Sequence, residues 1–508
     1  PEILLNMISK GLIGRKGKGG FYRLNQTNEK PFKEVIDLLS GEYAVAKRPV
    51  PESVRIAGNS PQALFKHGDH ASNFSWQVMS STLNYAANLL PQIADNIIAI
   101  DDAMKLGYAW KYGPFELIDR IGVGWFVNRL KEEKQSVPDL VTLASEKDGF
   151  YRIRDGEKEY LTSDGNYKPI VRRPGVLLLS DIKLKSKPII ENSSGSLWDI
   201  GDGITCLEFH TKMNSIDPNI LSLIEKSIKE VEANYKALVI YNEGTNYSVG
   251  VNLGLVLFAA NLAAWPLMEN MVKQGQEVFQ ALKFSSFPVV GAPSGMAIGG
   301  GCESLLHCDA IQAHAESYIG LVEIGVGLIP GWGGCKELLL RNLSGKRRGI
   351  LGGGSMPAIS KIFQTIGLAQ VSRSAAHALE LGYLSDNDKI SANRDRLLSD
   401  AKNRALSLIR DYKPPEAKEI KLPGKSARVA LMLAVKGLAK TGKASPHDVT
   451  VVEQLSNILT GGETDATDAV SEEQISKMER TALMTLAKNP LTIARMEHML
   501  DTGKPLRN

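Results

Sequence analysis

The chain has 508 residues, of which 23% are charged and 43% hydrophobic, proportions that are ordinary for a globular protein. Its 60 Lys and Arg side chains nearly balance its 56 Asp and Glu side chains, for a formal net charge of +4. Composition therefore gives no support for nucleic acid or a membrane surface as a partner. The length predicts two to four domains.

The four cysteines are sparse and none stands in a Cys-x-x-Cys pair. This favours a reduced cytosolic or organelle-lumen setting over a disulfide scaffold, and we expect a cytoplasmic protein. The most apolar stretch, residues 253–271, is interrupted by Asn261 and Pro266, so no membrane span is predicted. The opening residues 1–16 have the pattern of neither a signal peptide nor a membrane helix. They are typical of the end of a helix in a longer protein.

The first part of the chain predicts a short remnant followed by a helical domain. Residues 1–69 contain a basic, glycine-rich turn that runs into a short strand, and then a connector with one helical patch at Pro31–Leu39. Residues 70–150 carry apolar side chains at helical spacing. Gly107 and Gly113-Pro114 mark the end of one helix and the start of another. We therefore predict an all-helical domain over residues 70–150.

From Gly149 onward the pattern changes twice. Residues 151–194 favour a linker with short strands, at Phe150–Arg154 and Gly175–Ser180. Residues 195–395 alternate between strands and helices, which indicates an α/β domain, and residues 396–508 return to a helical pattern. The elements predicted for the α/β domain are strands at Ile204–Phe209, Ala237–Tyr241 and Phe287–Ala292 and helices at Asp217–Tyr235, Gly254–Leu282 and Cys302–Cys308.

A glycine-rich motif at residues 295–303 ends in Glu303 and is followed by Glu323, which lies in the apolar segment 319–329. Glycines let backbone N–H groups approach a ligand oxygen closely, and a helix that begins after them directs its positive dipole end at that oxygen. Two glutamates beside such a turn can handle a proton and a water. Taken singly, each feature also fits a simpler interpretation: tight turns for the glycines, a helix cap for Glu303 and a solvated loop for Glu323.

Four segments between residues 195 and 395 resemble, in their order, the crotonase superfamily, the enoyl-CoA hydratase/isomerase family. The segments are Tyr247–Leu253, Gly295–Glu303, Ile319–Gly334 and Ser374–Leu384. The resemblance implies an α/β crotonase-like spiral, a superhelix of repeated ββα units.

The resemblance also implies roles for individual residues. The backbone N–H groups of Val249 and Gly300 would form an oxyanion hole for the thioester carbonyl of an acyl-CoA, and Glu303 would hold and activate a water. Glu323, in its apolar surroundings, tends to keep its proton and would exchange it with the α-carbon of the substrate. The further residues expected to bind substrate are Gly250, Gly299, Gly301 and Trp332.

The helical region resembles a second family, the C-terminal domain of 3-hydroxyacyl-CoA dehydrogenases. Its best segment is residues 102–122, and residues 14–22 resemble the tail of an earlier copy of that domain. The pairing implies a C-terminal fragment of a multifunctional fatty-acid oxidation protein, with a C-terminal helical extension at 396–508. Because no Gly-x-Gly-x-x-Gly joins a strand to a helix here, we expect no NAD site in this chain, NAD being expected only for an upstream domain.

We expect the chain to bind a CoA thioester as substrate, and no cofactor of its own. The resemblance implies a thiolase as a possible partner. It also implies that an oligomer is possible, although residues 396–508 could cover the surface through which crotonase domains associate with one another. His67 and His70 have no Cys or Glu at ligand spacing, so we expect no metal. The basic run Lys346-Arg347-Arg348 fits contact with CoA phosphates or a solvated loop, and the second interpretation is favoured.

Three functions remain open from the sequence. The first is an enoyl-CoA hydratase, which reversibly adds water to one side of the double bond of a trans-2-enoyl-CoA in fatty-acid β-oxidation, and the pair of glutamates favours it. The second is a Δ3-Δ2 enoyl-CoA isomerase, which can work with one carboxylate. The third is a non-catalytic scaffold fragment of an oxidation complex. Five side chains of the predicted helix over 253–282 have two equally good interpretations: one wall of an acyl-chain tunnel, or ordinary core or subunit interface. They are Phe258, Trp265, Leu267, Met268 and Phe279.

Overall fold

The structure is a computed structural model that describes residues 2–26, 31–47, 49–343 and 355–508. The chain divides into two compact units. The first comprises Pro1–Arg154 with Lys158–Ile170, and the second comprises Asp155–Glu157 with Val171–Asn508. The finer division at residues 69, 150, 194 and 395 stays a prediction. Within the described ranges, no helix combines the length and the apolar character needed to cross a lipid bilayer.

The first unit is built from helices around an aromatic core. The ring of Trp76 packs edge to face against Phe65, Trp125 and Phe126. The helices are α1 (Glu2–Ser9), α2 (Glu52–Ala57), α3 (Pro61–Lys66), α4 (His70–Asn88), α5 (Ile97–Tyr108), α6 (Pro114–Ile121), α7 (Val123–Glu132) and α8 (Asp139–Ser145). The described strands pair as two three-stranded sheets: β1 (Tyr22–Asn25), β2 (Phe32–Ile36) and β3 (Tyr43–Val45), then β4 (Tyr151–Arg154), β5 (Glu157–Leu161) and β6 (Tyr167–Pro169).

Two carboxylates, Asp101 on α5 (buried) and Asp119 on α6 (half-buried), connect elements of this unit. Asp101 accepts hydrogen bonds from the N–H groups of Phe115 (2.8 Å) and Glu116 (3.1 Å) at the start of α6. Asp119 accepts from the N–H groups of Phe150 and Tyr151, both at 2.8 Å. Burial raises the pKa of each of these Asp side chains to about 6, against the effect of the N–H donors.

The second unit contains a sheet of seven strands among its described residues. Its strands lie in the order β15-β13-β11-β10-β9-β8-β7 and are parallel from β15 to β9, whereas β8 and β7 run antiparallel to their neighbours. Leu238 and Ile240 of β10 face one apolar layer, while Val239 and Tyr241 face the other. Both faces are therefore covered, which explains why the central strands are continuously apolar. The strands are β7 (Ile190–Glu191), β8 (Gly195–Asp199), β9 (Ile204–Phe209), β10 (Ala237–Tyr241), β11 (Val289–Ala292), β13 (Ala310–His314) and β15 (Lys389–Ser391).

A small parallel sheet of β12 (Gly295–Ile298) and β14 (Ser317–Gly320) lies beside the large one. In two successive units, β11 with β12 before the helix at residues 300–306 and β13 with β14 before the helix at residues 334–343, one strand lies in each sheet, as the predicted ββα spiral requires. The helices up to residue 409 are α9 (Leu179–Lys185), α10 (Pro218–Asn234), α11 (Leu253–Asn261), α12 (Trp265–Lys283), α13 (Gly300–Leu306), α14 (Gly334–Leu343), α15 (Met356–Gly367), α16 (Ala375–Leu381) and α17 (Leu397–Ile409), with 3₁₀ turns at Lys212–Asn214, Glu323–Val326 and Arg394–Arg396.

The C-terminal helices fold back onto the helices of the spiral. In the second unit α20 packs against α12 and α14, and α21 packs against α11. Buried polar contacts fix α20: Lys283 on α12 forms an ion pair with Glu472 (2.7 Å), and Gln276 donates to the carbonyl of Ser476 (2.8 Å). The elements are α18 (Gly424–Lys440), α19 (Pro446–Thr460), α20 (Glu472–Ala487) and α21 (Pro490–Thr502), with the antiparallel pair β16 (Glu419–Lys421) and β17 (Ala469–Ser471).

Three local predictions were wrong. Pro31–Leu39 contains strand β2 and no helix, and Gly175–Ser180 contains the start of α9 and no strand. The helix predicted over 254–282 is two helices, α11 and α12, separated near Ala263, which has a positive φ of 50°. Pro266 lies in the first turn of α12, where its missing N–H costs nothing.

We expect Asp119→Ala to destabilise the first unit, because the buried N–H groups of Phe150 and Tyr151 lose their acceptor. The expected loss is about 1–3 kcal/mol in the free energy of unfolding. The measurement is urea unfolding, together with amide hydrogen exchange of the segment around Tyr151. The control is Asp102→Ala, since the carboxylate of Asp102 is half exposed and pairs only with Lys105 within the described residues. Unchanged exchange at Tyr151 in the Asp119 variant would contradict the argument.

Candidate active site

Two backbone loops meet at one end of the small sheet. Ser248 pairs with β12: its N–H donates to the carbonyl of Met296, and its carbonyl accepts from the N–H of Ile298, both at 3.0 Å. The next residues of both loops are thereby brought together. Gly250 has a φ of 81°, and a Cβ at this position would lie 2.6 Å from the nitrogen of Gly300. Only glycine fits this approach.

The N–H groups of Val249 and Gly300 are free to bind a ligand. Gly300 is the first residue of α13, where a backbone N–H has no intrahelical acceptor. In the part of the chain that the structure describes, neither amide donates to another protein group, and both residues line the same cavity. Two such donors at a helix start can stabilise an oxygen that gains negative charge.

Glu303 lies in α13 with only 2% of its surface exposed. Its Oε1 atom accepts hydrogen bonds from the N–H groups of Trp332 (2.8 Å) and Gly334 (2.9 Å). These two bonds leave Oε2 for a water or substrate. Burial raises the pKa of Glu303, while the two N–H donors and the Lys336 ammonium act in the opposite direction.

Glu323 opens the 3₁₀ turn that follows β14. Its Oε2 atom is buried and has no hydrogen-bond partner among the described residues. Its Oε1 atom lies so near the glycine loop that a Cβ at Gly299 would be 3.1 Å away. Burial, and then the charge of Glu303, raise the pKa of Glu323. Glu323 is therefore the more readily protonated acid of the pair.

Both glutamates line a cavity of about 390 Å³ whose walls are otherwise mainly apolar. Glu303, Glu323 and the two free amides are its main polar groups. The apolar wall includes Val256 from α11, Met268 from α12, Leu328, and Leu483 and Met499 from the C-terminal helices. A cavity of this kind suits a largely apolar ligand with one polar group.

Most of the residues predicted for the site are brought together in this cavity. Its lining includes Val249, Gly299, Gly300, Glu303, Glu323 and Trp332. Gly250 and Gly301 are not in the lining; a Cβ on Gly301 would lie 2.5 Å from the carbonyl oxygen of Ser248. These two glycines therefore allow the loops to pack instead of facing the ligand. Trp332 packs edge to face against Phe279, with ring centroids 5.4 Å apart.

The five side chains of α11 and α12 singled out in the sequence differ in their surroundings. Met268 lines the cavity, and Phe279 is fully buried in the core. Phe258 and Leu267 are instead exposed, at 64% and 58%. The basic run at 346–348 lies outside the described residues. Across the residues that are described, no group of three or more His, Cys, Asp or Glu side chains is arranged to hold a metal ion.

Three residues near the site have no counterpart in the prediction. Leu483 and Met499 line the cavity, and Glu479 of α20 lies close enough to the two acids for its charge to act on Glu323. All three come from the C-terminal helices, far along the sequence from the glycine motif. Their helical patterns alone did not indicate which neighbour they would face.

Two segments of the chain match known protein families. Residues 199–348 match the enoyl-CoA hydratase/isomerase family, and residues 75–147 match the 3-hydroxyacyl-CoA dehydrogenase C-terminal domain. Two separate segments of the chain are thus similar to two different families.

Two relatives align over nearly the whole chain. A "Probable 3-hydroxyacyl-CoA dehydrogenase" of Bacillus subtilis is 38% identical over 100% of this chain and 64% of its own length. A "Putative fatty acid oxidation complex trifunctional enzyme" of Rickettsia prowazekii is 31% identical over 98% of this chain and 62% of its own length. The chain therefore spans less than two thirds of each of these relatives.

Solved structures with similar folds include enoyl-CoA hydratases. One from Bacillus halodurans is 15% identical and covers 60% of this chain and 99% of its own, with a TM-score of 0.42. An enoyl-CoA hydratase/isomerase from Xanthobacter autotrophicus is 17% identical and covers 62% of this chain and 95% of its own, with a TM-score of 0.40.

We expect Gly250→Ala to disable the site, because the added Cβ would meet the Gly300 nitrogen and the residue would be held at a positive φ. Displacement of the two amides should lower the turnover of an enoyl-CoA by about 100-fold or more. Gly325→Ala is the control, since a Cβ there meets nothing within 4 Å. The measurements are turnover and circular dichroism, and full turnover by a folded Gly250 variant would contradict the expected role of the loop.

Proposed function

We propose that the second unit is an enoyl-CoA hydratase that reversibly adds water to one face of trans-2-enoyl-CoA, within a multifunctional protein of fatty-acid β-oxidation. The observation that carries this proposal is that Glu303 and Glu323 line one cavity together with Val249 and Gly300, whose amides are free. A hydratase needs two proton-handling groups and a site for the thioester oxygen, and this cavity has all three.

The substrate would be held through its thioester carbonyl. That oxygen would accept hydrogen bonds from the N–H groups of Val249 and Gly300, and the acyl chain would lie along the apolar wall. Negative charge grows on the carbonyl oxygen when a nucleophile adds at the β-carbon. Donors that are already in place stabilise that charge without reorganising, which typically lowers the barrier by about 3 kcal/mol per donor.

The two acids would divide the transfer of water between them. Glu303, ionised and fixed by two backbone amides, would take a proton from the water as its oxygen bonds to the β-carbon. Glu323, protonated in its buried setting, would give its proton to the α-carbon. The pair ends with one proton on Glu303 and none on Glu323, and a proton exchange with solvent restores the starting state. The reverse sequence removes water.

An isomerase, unlike a hydratase, would not need Glu303 as a proton-transfer group. Moving a double bond requires one group that carries a proton between two carbons, so Glu323 alone would suffice. The two hydrogen bonds that anchor Glu303 beside the cavity support a hydratase, because an acid fixed in this way can orient a water. As part of the same proposal, the chain would act in the cytoplasm within a fatty-acid oxidation complex, the kind of assembly that the name of the Rickettsia relative states for that protein. A thiolase is its proposed partner there.

Replacing either acid by Gln should reduce hydration of crotonyl-CoA by about 100-fold or more, because each substitution removes a proton-transfer group. The measurement is loss of the ultraviolet absorbance of the conjugated thioester. Glu277→Gln on the exposed face of α12 is the control. If Glu303→Gln retains isomerisation of a 3-enoyl-CoA while Glu323→Gln does not, the isomerase assignment replaces the hydratase. If the wild-type chain leaves both substrates unchanged, the scaffold interpretation holds.

The pH dependence of hydration should reflect the raised pKa of Glu323. A raised pKa keeps the carboxyl of Glu323 protonated to higher pH, so the loss of hydration caused by its ionisation should come on the alkaline side of the profile. Hydration should also fall at acid pH, where Glu303 gains a proton. We expect a bell-shaped profile of kcat/KM whose alkaline limb lies well above the ordinary Glu pKa of about 4.3. If activity already declined with rising pH in the mildly acid range, Glu323 would be excluded as the proton donor.

A further inference from the structure

The turn that carries Glu323 is closed by the two residues that follow it. Gly327 ends the 3₁₀ turn with a positive φ of 79°, and its N–H donates to the carbonyl of Ile324 (3.0 Å). The N–H of Leu328 donates to the carbonyl of Glu323 itself, also at 3.0 Å. The backbone of Glu323 is therefore tied to the position of Gly327 and Leu328.

The carbonyl of Gly327 is held by a helix much further along the chain. It accepts a hydrogen bond from the hydroxyl of Thr492 on α21, at 3.0 Å, and Thr492 is fully buried. A hydroxyl has one proton to donate, so its oxygen accepts at its second contact, with Nε2 of His447 on α19 at 2.9 Å. Burial, and then the charge of Arg495, lower the pKa of His447, so the ring is neutral and carries its proton on Nε2.

The fit around Gly327 leaves this end of the turn little freedom. A Cβ at Gly327 would lie 3.0 Å from Oγ1 of Thr492 and 3.1 Å from Nε2 of His447. The two helices that supply these side chains, α19 and α21, both pack against the turn. By contrast, a Cβ at Gly325 would meet nothing within 4 Å. The turn is therefore fixed at the end that faces the C-terminal helices.

The carboxyl group of Glu323 lacks the direct anchor that Glu303 has. Two backbone N–H groups fix Oε1 of Glu303, whereas Oε2 of Glu323 has no hydrogen-bond partner in the described ranges. The position of the Glu323 carboxyl is thus set mainly by its backbone. Since a displacement of about 1 Å can lower a reaction rate by about 100-fold, the support of that backbone bears on the chemistry.

We propose that Thr492, supported by His447, is a positioning residue that holds the turn of Glu323 where its carboxyl can reach the α-carbon of the substrate. Neither Thr492 nor His447 belongs to the lining of the cavity. The inference rests on the proposed hydration, in which Glu323 supplies a proton. The alternative is a purely structural role, in which the same hydrogen bonds only dock α21 on the turn.

Thr492→Val removes the hydroxyl and keeps the branched shape of the side chain. We expect kcat for hydration of crotonyl-CoA to fall by about 10-fold or more and KM to change by about twofold or less, because the acid is displaced and the thioester-binding amides are not. Thr492→Ser keeps the hydroxyl and should restore most of kcat. The control is Thr502→Val, at an exposed position of α21 whose hydroxyl donates within its own helix. A folded Thr492→Val protein with wild-type kcat would overturn the proposal.

A cycle of double variants separates positioning from docking. If Thr492 acts through Glu323, Thr492→Val should lower turnover much less in a Glu323→Gln background than in a Glu303→Gln background. Equal factors in the two backgrounds would assign Thr492 a structural role and end the proposal.

The second variant, His447→Asn, covers the case in which Thr492→Val does not fold. It shortens the donor that supports Thr492 and should lower kcat by about threefold or more. His447→Gln is its matched comparison, because the amide nitrogen of Gln can donate from near the position of Nε2. Wild-type kcat in the folded Asn variant would contradict the support that His447 is expected to give.

Hydrogen exchange tests the support of the turn without enzyme activity. The amide of Leu328, which donates to the carbonyl of Glu323, should exchange about fivefold faster or more in Thr492→Val, and at the wild-type rate in Thr502→Val. Equal exchange of this amide in the Thr492→Val and wild-type proteins would overturn the proposal. Failure of the hydratase assignment alone would leave the difference in exchange in place.

Discussion

The second unit depends on the two hydrogen bonds that the backbone of Trp332 and Gly334 donates to Glu303. They tie the helix that begins at the glycine motif to the turn that begins α14. They thereby set the position of the Trp332 ring, which packs so closely on α12 that Gly275 has no room for a side chain. Two residues beyond Gly334, the N–H of Lys336 is held by Glu479. One buried carboxylate thus organises the loop, a wall of the cavity and the docking of the C-terminal helix.

Much of the fold of the second unit could be predicted from the sequence, because its central strands are buried on both faces. Strands β9 and β10 have the predicted bounds, since a continuous apolar run between polar ends has one reasonable interpretation. A continuous apolar pattern led to a wrong prediction where a turn separates two helices. The residues from 254 to 282 have a helical pattern throughout, yet the chain turns at Ala263 and restarts at Trp265. At Phe32–Ile36 a short amphipathic stretch became a strand through pairing with the neighbouring strands β1 and β3.

The site was predictable to the extent that its chemistry is local in sequence. Glycines at 250 and 299 mark places where two backbones meet, and Glu303 and Glu323 lie within or just after the motifs that contain them. Burial of the pair agrees with the apolar segment around Glu323. Glu479, Leu483 and Met499 could not be found in this way, because they reach the site only through packing of α20 and α21 on the spiral. An acidic residue on a helical face has the same pattern whether it meets water or another carboxyl group.

Leu483 and Met499 form part of the cavity wall, so substitutions at these two positions can change the shape of the cavity. The large sheet and the glycine loops must stay nearly fixed, since their backbones are in contact and leave no room for added atoms. The C-terminal helices carry no such restriction at these two positions. The room available to a ligand in the cavity can therefore diverge between related proteins, or be redesigned, by exchanging side chains well over a hundred residues downstream of the glutamates.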